Sequence, residues 1–494
     1  MKSTLANLLA AAMLLPAMAS AASPGHVEHV LLISVDGLHD VDLARFIDRH
    51  PQSALAGLAR HGIRYAGAET VVPADSFPGL LALATGGTPA VTGVYYDDTY
   101  DRSLSPPGSD CRRTGSAVVY DEAIDAPGAK AGRPAIDASR LPRDPKGCTP
   151  VYPHGYLRVN TVFEVVRAAG GHTAWIDKHP AYEVLNGPSG KGVDDLFTPE
   201  IGADAEASGK AKDDRITASI ERTEHYDEHK ADALLAEING FRHDGRTPAP
   251  VPTLFGFNIQ AVNVAQKVAG YEDAHGDPTP GLASALDHCD ELIGRIVAEL
   301  RKKRLIASTL VIVTAKHGNG PIDPQALRHI DKRELADAVE AVAPGALAHI
   351  TTDQGALAWL HAPDRAGTVA KALERSAGRL GIAQVLHGSA LARLFHAPGG
   401  DPRTPDLVVI PLPGVIYAKH GDKKKAEHGG YAADDTHVAL LVANPRLVHA
   451  RVVIAAPVCT TQVAPTILAA LGIVPTKLQA VARQGTAVLP GVKW

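Results

Sequence analysis

The chain has no excess of basic residues and, beyond its first segment, no long hydrophobic run. Among its 494 residues, 49 lysines and arginines are balanced by 54 aspartates and glutamates, so the formal net charge at pH 7 is -5. Binding to nucleic acid needs a basic face, and this balance provides no footprint for one. After residue 21, no stretch approaches the length of about 20 apolar residues that a membrane-spanning helix requires. We find no internal repeat, and we expect a soluble globular protein.

The first 21 residues have the layout of a secretory signal. Met1 and a lysine precede an apolar stretch that runs to Met18, and small residues then follow up to Ala21. The apolar part is too short to span a bilayer comfortably, and the small residues favour cleavage after Ala21. We therefore predict a signal peptide at 1–21, a mature chain at 22–494, and a periplasmic or secreted location.

Cysteine is scarce, with four residues in the chain. Disulfides persist in the oxidising compartments that exported proteins reach, so the cysteine positions are informative. Cys111 and Cys148 flank a polar loop that contains proline and glycine, and we predict a disulfide that closes it. Cys289 lies in a helical pattern and Cys459 ends an apolar run, so we interpret both as small buried apolar residues.

Strands and helices are predicted to alternate along most of the mature chain. This alternation favours a doubly wound, mostly parallel α/β sheet flanked by helices. A polar excursion at about 97–150 and a segment at about 325–425, predicted to form a smaller inserted α/β cap, interrupt the pattern. The predicted strands lie within 30–38 and at 173–176, 252–259, 308–314, 406–411 and 437–444.

Polar residues follow several of these strands at the point where each strand ends. Asp36 follows the first buried strand, and the pair Lys316 and His317 follows a later one. Ser76 lies at the start of a predicted helix, and His428 lies in a loop that follows another strand. In open α/β sheets, ligands and reactive groups lie outside the carboxyl ends of the strands. These five residues are therefore the candidate site.

Ser76 has two interpretations. A serine at the start of a helix whose first turn contains proline is ordinary capping chemistry. A hydroxyl at a helix N-terminus also lies beside free amide groups and the positive end of the helix dipole, which suit a phosphate or an oxyanion. Both interpretations stay open at this point.

Taken in order, these residues resemble the alkaline phosphatase superfamily, and within it the type I phosphodiesterase and nucleotide pyrophosphatase branch. The resemblance covers nearly the whole mature chain. It implies an alkaline phosphatase-like fold, a small phosphate-ester substrate and a nucleophile, Ser76, that forms a phospho-enzyme. The motifs that carry it are VDG after the first strand, a hydroxyl residue before Phe-Pro, TGGTPAVTGVYYD, a strand that ends in HG, EHGGY, and PTIL.

The resemblance also implies metal ions. In this family two ions, usually zinc, lie about 4 Å apart and clamp the phosphoryl group. Asp36, Ser76 and His317 match ligands of one ion, and His428 matches a ligand of the other. Lys316, however, stands where the family has a ligating aspartate, and NIQAVNVAQK replaces its PDxxGH segment. Amides are poor zinc ligands and an ammonium cannot coordinate, so we expect an atypical site with one zinc ion rather than two.

Three accounts of the chemistry follow from this comparison. In the first, which we favour, one ion is held by Asp36, Ser76 and His317, with His428 beside them. The charge of Lys316 then replaces part of the missing ion's field. In the second, no metal is needed and Lys316 takes the proton from Ser76. In the third, the chain is a degenerate, non-catalytic binding member of the fold.

Overall fold

The computed structural model of the protein describes residues 27–126, 135–199, 215–396 and 399–492. The predicted signal peptide at 1–21 lies outside the described residues. Within the described ranges, no helix combines the length and the apolar character needed to cross a membrane.

Strands and helices alternate along these residues, as the sequence pattern predicts. The strands are β1 (His29–Val35), β2 (Gly62–Glu69), β3 (Asp98–Asp101), β4 (Ser116–Val119), β5 (Arg143–Asp144), β6 (Thr149–Pro150), β7 (Ala174–Ile176), β8 (Asp195–Phe197), β9 (Leu254–Ile259), β10 (Thr309–Thr314), β11 (Arg328–Asp331), β12 (Leu347–Thr352), β13 (Ala356–Leu360), β14 (Ile382–His387), β15 (Leu407–Pro411), β16 (Val415–Ala418), β17 (Leu440–Ala443) and β18 (Val452–Cys459). The helices are α1 (Asp40–Arg49), α2 (Ala54–Ala59), α3 (Ser76–Thr85), α4 (Pro89–Thr92), α5 (Pro153–Tyr156), α6 (Val162–Ala168), α7 (Ile220–Ile238), α8 (Ala261–Val268), α9 (Pro280–Lys302), α10 (Arg333–Val342), α11 (Ala366–Arg375), α12 (Ala377–Leu380), α13 (Ala433–Thr436), α14 (Val463–Ala470) and α15 (Gln479–Gln484).

The largest sheet has eight strands in the order β18-β2-β17-β10-β1-β9-β7-β8. Val30 of β1 pairs with Leu310 of β10 on one side and with Leu254 of β9 on the other. β17 is antiparallel to both of its neighbours, while the other pairs are parallel. Strands buried on both faces have continuous apolar sequences, which explains why β1, β9 and β10 are so evident in the sequence. The predicted mostly parallel sheet is confirmed.

Helices cover both faces of this sheet. Successive side chains of a strand point to opposite faces, so Val30 and Leu32 pack into one core while Leu31 and Ile33 pack into the other. α3, α6 and α14 contribute to the first core, and α1, α2, α7, α8 and α9 contribute to the second. The sheet is therefore doubly wound, and the carboxyl ends of β1, β7, β9 and β10 lie at one open edge.

Residues 328–418 contain a smaller group of strands and helices. β12, β13, β15 and β14 form a four-stranded antiparallel sheet, and β11 pairs with β16 in parallel. Side chains such as Leu335, Val369 and Leu407 form an apolar core of this group. The boundaries of an inserted α/β cap, at about 325–425, stay a prediction.

The excursion at about 97–150 contains more regular structure than its composition predicts. β3 pairs with β4 and β5 pairs with β6, both antiparallel. Cys111 and Cys148 form the predicted disulfide. Tyr100 and Tyr120 are buried, so part of the excursion packs into the body of the protein instead of lying on its surface.

The sequence pattern does not predict β2 and β18, which lie at one edge of the large sheet. β18 has an apolar sequence that contains Pro457, and a proline within such a run argues against a central strand, whereas an edge strand that is mostly exposed, as β18 is, tolerates it. Cys459 ends this strand and is only half-buried, which corrects the interpretation of this residue as buried. Cys289 is buried, as predicted.

Candidate active site

The large sheet brings polar side chains from neighbouring strands to one place. Asp36 follows β1, Lys316 and His317 follow β10, and Lys178 follows β7. These parallel strands end at the same edge of the sheet, where reactive groups of open α/β sheets are found. Ser76 reaches this edge from the first turn of α3.

Ser76 is the first residue of α3, but its hydroxyl does not cap the helix. The cap is Asp75, whose side chain accepts a hydrogen bond from the backbone amide of Phe77. The Ser76 Oγ lies 3.1 Å from His317 Nε2 and 3.2 Å from Lys178 Nζ. The structure therefore gives the capping role to Asp75 and leaves the Ser76 hydroxyl in contact with the polar cluster.

His317 is a neutral imidazole whose Nε2 faces Ser76. Its Nδ1 lies 2.8 Å from the carbonyl oxygen of Gly318, which can only accept, so Nδ1 carries the proton. Burial, followed by the neighbouring His428, holds the pKa of His317 well below its usual range. The two imidazole rings stack with their centroids 3.9 Å apart. In this tautomer, Nε2 can accept the proton of the Ser76 hydroxyl.

Asp36 is fully buried and both of its carboxylate oxygens are engaged. Oδ1 accepts a hydrogen bond from Asn258 Nδ2 at 2.8 Å, and Oδ2 accepts one from Gln260 Nε2 at 2.5 Å. The ammonium nitrogens of Lys178 and Lys316 lie 3.6 and 3.8 Å from Oδ2. Burial acts to raise the pKa of Asp36, but the charges of Lys316 and Lys178 outweigh it and hold this pKa well below its usual range. Asp36 is therefore an ionised group.

The two lysines have different surroundings. Lys316 Nζ donates to both carboxylate oxygens of Asp177 at 3.1 Å and lies 4.1 Å from the ring centroid of Tyr182. Burial lowers the pKa of Lys316, against the opposing charge of Asp177. Burial also acts to lower the pKa of Lys178, but the carboxylate of Asp36 leads the opposing charges, and the pKa is raised overall. Lys178 is therefore a fixed cation beside the serine, while the hydrogen bonds of Lys316 go to Asp177.

The cluster reaches solvent through Lys178 and His428, whose side chains are 12% and 14% exposed. Asp36, Lys316 and His317 are fully buried behind them. The Ser76 hydroxyl, 3.2 Å from Lys178 Nζ, therefore contacts one of the two partly exposed side chains of the cluster.

The structure brings together the candidate residues Asp36, Ser76, Lys316, His317 and His428. Sequence reasoning missed Lys178 and Asp177. The available signal was the same one that identifies Asp36, because these two residues directly follow the buried strand β7.

The residues at this edge do not fit a divalent metal ion. In the ranges that the structure describes, no group of three or more histidine, cysteine, aspartate or glutamate side chains is arranged to hold one. Amides occupy both oxygens of Asp36, and two ammonium groups lie 3.6 and 3.8 Å from it. At an effective dielectric constant of 20, two like unit charges about 4 Å apart repel by about 4 kcal/mol. A divalent ion bound to Asp36 carries two such charges, so its repulsion from Lys178, and again from Lys316, would be larger still.

Solved structures share the architecture of this chain. Wild-type alkaline phosphatase PafA superposes with a TM-score of 0.62 at 13% identity, covering 91% of this chain and 96% of that chain. Murine ectonucleotide pyrophosphatase / phosphodiesterase 5 (ENPP5) gives a TM-score of 0.58 at 14% identity, covering 90% and 96%. At these identities the likeness shows the fold alone, and the predicted alkaline phosphatase-like fold is confirmed.

The family follows from the sequence match. The model of the type I phosphodiesterase / nucleotide pyrophosphatase family matches residues 30–432. The chain belongs to this family, and it is thereby placed among the hydrolases of phosphoric ester bonds. A search of curated protein sequences finds no match to this chain.

Proposed function

We propose that the protein is an exported phosphoesterase in which Ser76 attacks phosphorus and forms a phospho-enzyme. The observation that carries this proposal is the position of the Ser76 Oγ, 3.1 Å from His317 Nε2 and 3.2 Å from Lys178 Nζ. A serine nucleophile needs a base to take its proton, and its oxygen is stabilised by a cation beside it. Export is proposed from the signal-like segment at 1–21.

The first step forms a bond between the Ser76 Oγ and phosphorus. The bond between phosphorus and the oxygen of the leaving alcohol breaks, and the leaving oxygen takes a proton from water. The Ser76 proton passes to His317 Nε2, which is neutral and positioned to receive it. Lys178 orients the serine oxygen and stabilises the negative charge that develops on it.

The second step hydrolyses the phospho-enzyme. The oxygen of a water molecule bonds to phosphorus, and the bond between phosphorus and the Ser76 Oγ breaks. The proton held on His317 returns to the serine oxygen, and the proton lost by water neutralises the hydroxide left by the first step. Lys178 again faces the oxygen that carries negative charge, which is now the leaving oxygen.

This assignment differs from the metal-free account predicted from the sequence, because the base is His317 and not Lys316. The alternative arrangement is a single zinc ion held by Asp36, Ser76, His317 and His428. It would require the ammonium groups beside Asp36 to move away or to lose their charge.

The proposed substrate is a small phosphate ester. An inactive variant of murine ENPP5, which shares the fold, has been solved in complex with AMP. Nucleotide esters therefore belong in a first substrate panel beside nitrophenyl phosphate monoesters and diesters.

The test measures turnover of this panel by the wild-type protein and by Ser76→Ala and Ser76→Thr. Mass spectrometry of acid-quenched reactions would detect a phosphoryl group on the peptide that contains Ser76. Ser53→Ala is the matched control, because it removes the hydroxyl that caps α2. We expect Ser76→Ala to abolish turnover and the phosphopeptide, and Ser76→Thr to retain part of both. Near-normal turnover by Ser76→Ala would refute the proposed nucleophile.

A further inference from the structure

The ammonium group of Lys178 contacts the Ser76 oxygen, and the ammonium group of Lys316 lies near the same Asp36 oxygen as Lys178 does. Catalysis of phosphoryl transfer consists largely of positioning and of stabilising negative charge on oxygen, which metal ions commonly provide. Building on the function proposed above, we infer that Lys178 and Lys316 replace the family's metal ions, so that Ser76 hydrolyses phosphate esters without a bound divalent ion.

Asp36 is already paired with positive charge from the chain. A buried carboxylate at the end of the central strand could serve as a metal ligand, but here it holds two cations of the chain itself. Lys178 Nζ lies 3.6 Å and Lys316 Nζ lies 3.8 Å from the same oxygen, Oδ2. Both ammonium groups are covalently attached to the chain, so they provide positive charge without a dissociable ion.

The side-chain amides of Asn258 and Gln260 lie beside this carboxylate. The amide nitrogens of Asn258 and Gln260 point at Asp36, and an N–H group donates a hydrogen bond but cannot coordinate a cation. Gln260 Oε1 accepts from Asn263 Nδ2 at 3.3 Å, and Asn263 Oδ1 accepts from Asn319 Nδ2 at 2.9 Å. These contacts use the side-chain oxygens of Gln260 and Asn263, while Asn319 Oδ1 has no hydrogen-bond partner among the described residues.

The two lysines have distinct roles. Lys178 is a catalytic residue, because its Nζ lies 3.2 Å from the reacting oxygen of Ser76. Lys316 is a positioning residue, because it acts through Asp36 and Asp177. The ring of Tyr182 supports both, with its centroid 4.1 Å from Lys316 Nζ and 5.6 Å from Lys178 Nζ.

The decisive measurement combines metal binding with turnover on the full-length protein. The protein is treated exhaustively with chelator, its metal content is measured by mass spectrometry, and it is titrated with zinc in a calorimeter. We expect unchanged turnover of nitrophenyl phosphate esters after chelation. We also expect the zinc titrations of the wild-type protein and of Asp36→Asn to be the same, with no stoichiometric site that Asp36→Asn removes. The double variant Lys178→Ala with Lys316→Asp is expected to bind zinc more tightly than the wild-type protein.

Single variants test each lysine. We expect Lys178→Ala to lower kcat by about 100-fold, comparable to the loss of one transition-state donor, and added alkylammonium salt to restore part of it. Lys178→Arg should retain more activity than Lys178→Ala, and the matched exposed control Lys303→Ala should leave kcat unchanged. We expect Lys316→Met to lower kcat and to leave KM unchanged, and Lys316→Arg to restore part of kcat. This result would show that Lys316 positions the site through its charge, and not that the variant fails to fold.

The outcomes separate this inference from the proposed function. If chelation abolishes Ser76-dependent turnover and one equivalent of zinc restores it, the inference is overturned while the phosphoesterase proposal stands. If the wild-type protein binds zinc at Asp36 as tightly as the double variant does, the inference also fails, whatever the activity. If no ester is hydrolysed with or without zinc, while calorimetry shows no zinc site at Asp36, the proposed function fails and metal-free hydrolysis fails with it, and only the exclusion of zinc by the two lysines is supported.

Discussion

Gly79 packs directly against the backbone of Lys316, so that a Cβ atom built on Gly79 would lie 2.1 Å from the Lys316 carbonyl oxygen. A backbone oxygen cannot rotate away from such a clash as a side chain can. The absence of a side chain at Gly79 therefore allows α3 to approach the end of β10. This approach brings the Ser76 hydroxyl within reach of His317.

The first prediction concerns this contact. Gly79→Ala should push the start of α3 away from β10, because the added methyl group has no free space. We expect a loss of about tenfold or more in kcat, since small misplacements of a nucleophile are costly, and a destabilisation of about 1 to 3 kcal/mol. Gly294→Ala is the matched control in α9, because its nearest neighbour is the Ala54 side chain at 3.5 Å. Equal kcat values in the two variants would contradict the prediction.

The second prediction separates the cap of α3 from its nucleophile. The Asp75 side chain accepts the Phe77 amide, so Asp75→Ala should lower the free energy of unfolding by about 1 kcal/mol. Ser76→Ala removes no cap, but it takes a hydrogen-bond partner from the buried His317 Nε2, so it should also lower the free energy of unfolding, by about 1 kcal/mol. Chemical denaturation measures both values. A much larger loss in Ser76→Ala, together with no loss in Asp75→Ala, would show that the serine is the structural cap.

The elements of the fold and the site that depend on buried apolar strands are the ones best predicted from the sequence. β1 and β10 are evident because both are buried on two faces, and the polar residues that follow them, Asp36, Lys316 and His317, could be identified as a candidate site. The pairing of these strands could not be predicted, because they lie more than 270 residues apart in the chain. Lys178 illustrates the same limit, since its contact with Ser76 depends on the strand order β1-β9-β7 and not on local sequence.

The third prediction concerns the ion pair between Arg158 and Asp401, which joins two distant parts of the chain. Arg158 Nη2 donates to Asp401 Oδ1 at 2.8 Å, and Nη1 donates to Oδ2. Burial acts to raise the pKa of Asp401, but Arg158 outweighs it and lowers the pKa from 3.8 to about 2. A lowered carboxyl pKa adds stability above the unfolded value of 3.8, and this stability is lost as the pH falls through about 2.

We therefore expect Arg158→Met to be less stable than the wild-type protein at neutral pH by about 2 kcal/mol, the usual contribution of hydrogen bonds to a charged group. The difference between the two proteins should shrink as the pH falls from 4 towards about 2, because Asp401 then becomes protonated in both states. Arg301→Met, on the exposed end of α9, is the control. A difference that stays constant over this pH range would show that packing, and not charge, accounts for the loss.

The last prediction concerns Glu237, a carboxyl group in α7 that is 1% exposed. Neither of its carboxylate oxygens has a hydrogen-bond partner in the described residues. Burial, reinforced by the charge of Asp195, raises the pKa of Glu237 well above its usual value of 4.5. The folded state therefore binds a proton that the unfolded state has released, and the stability contributed by this proton falls as the pH rises above 4.5.

Replacing this carboxyl by an apolar side chain of similar length should remove the cost of burying it. We expect Glu237→Met to raise the free energy of unfolding at pH 8 by about 1 to 3 kcal/mol, the cost of an unsatisfied buried polar group. At pH 4 the gain should be smaller, because the carboxyl is then largely protonated in the unfolded state as well. Glu291→Met, at an exposed position of α9, is the matched control and should show no such pH dependence. Denaturant titrations at the two pH values decide the question, since a destabilised Glu237→Met protein at pH 8 would mean that the carboxyl is stabilised by a partner such as bound water.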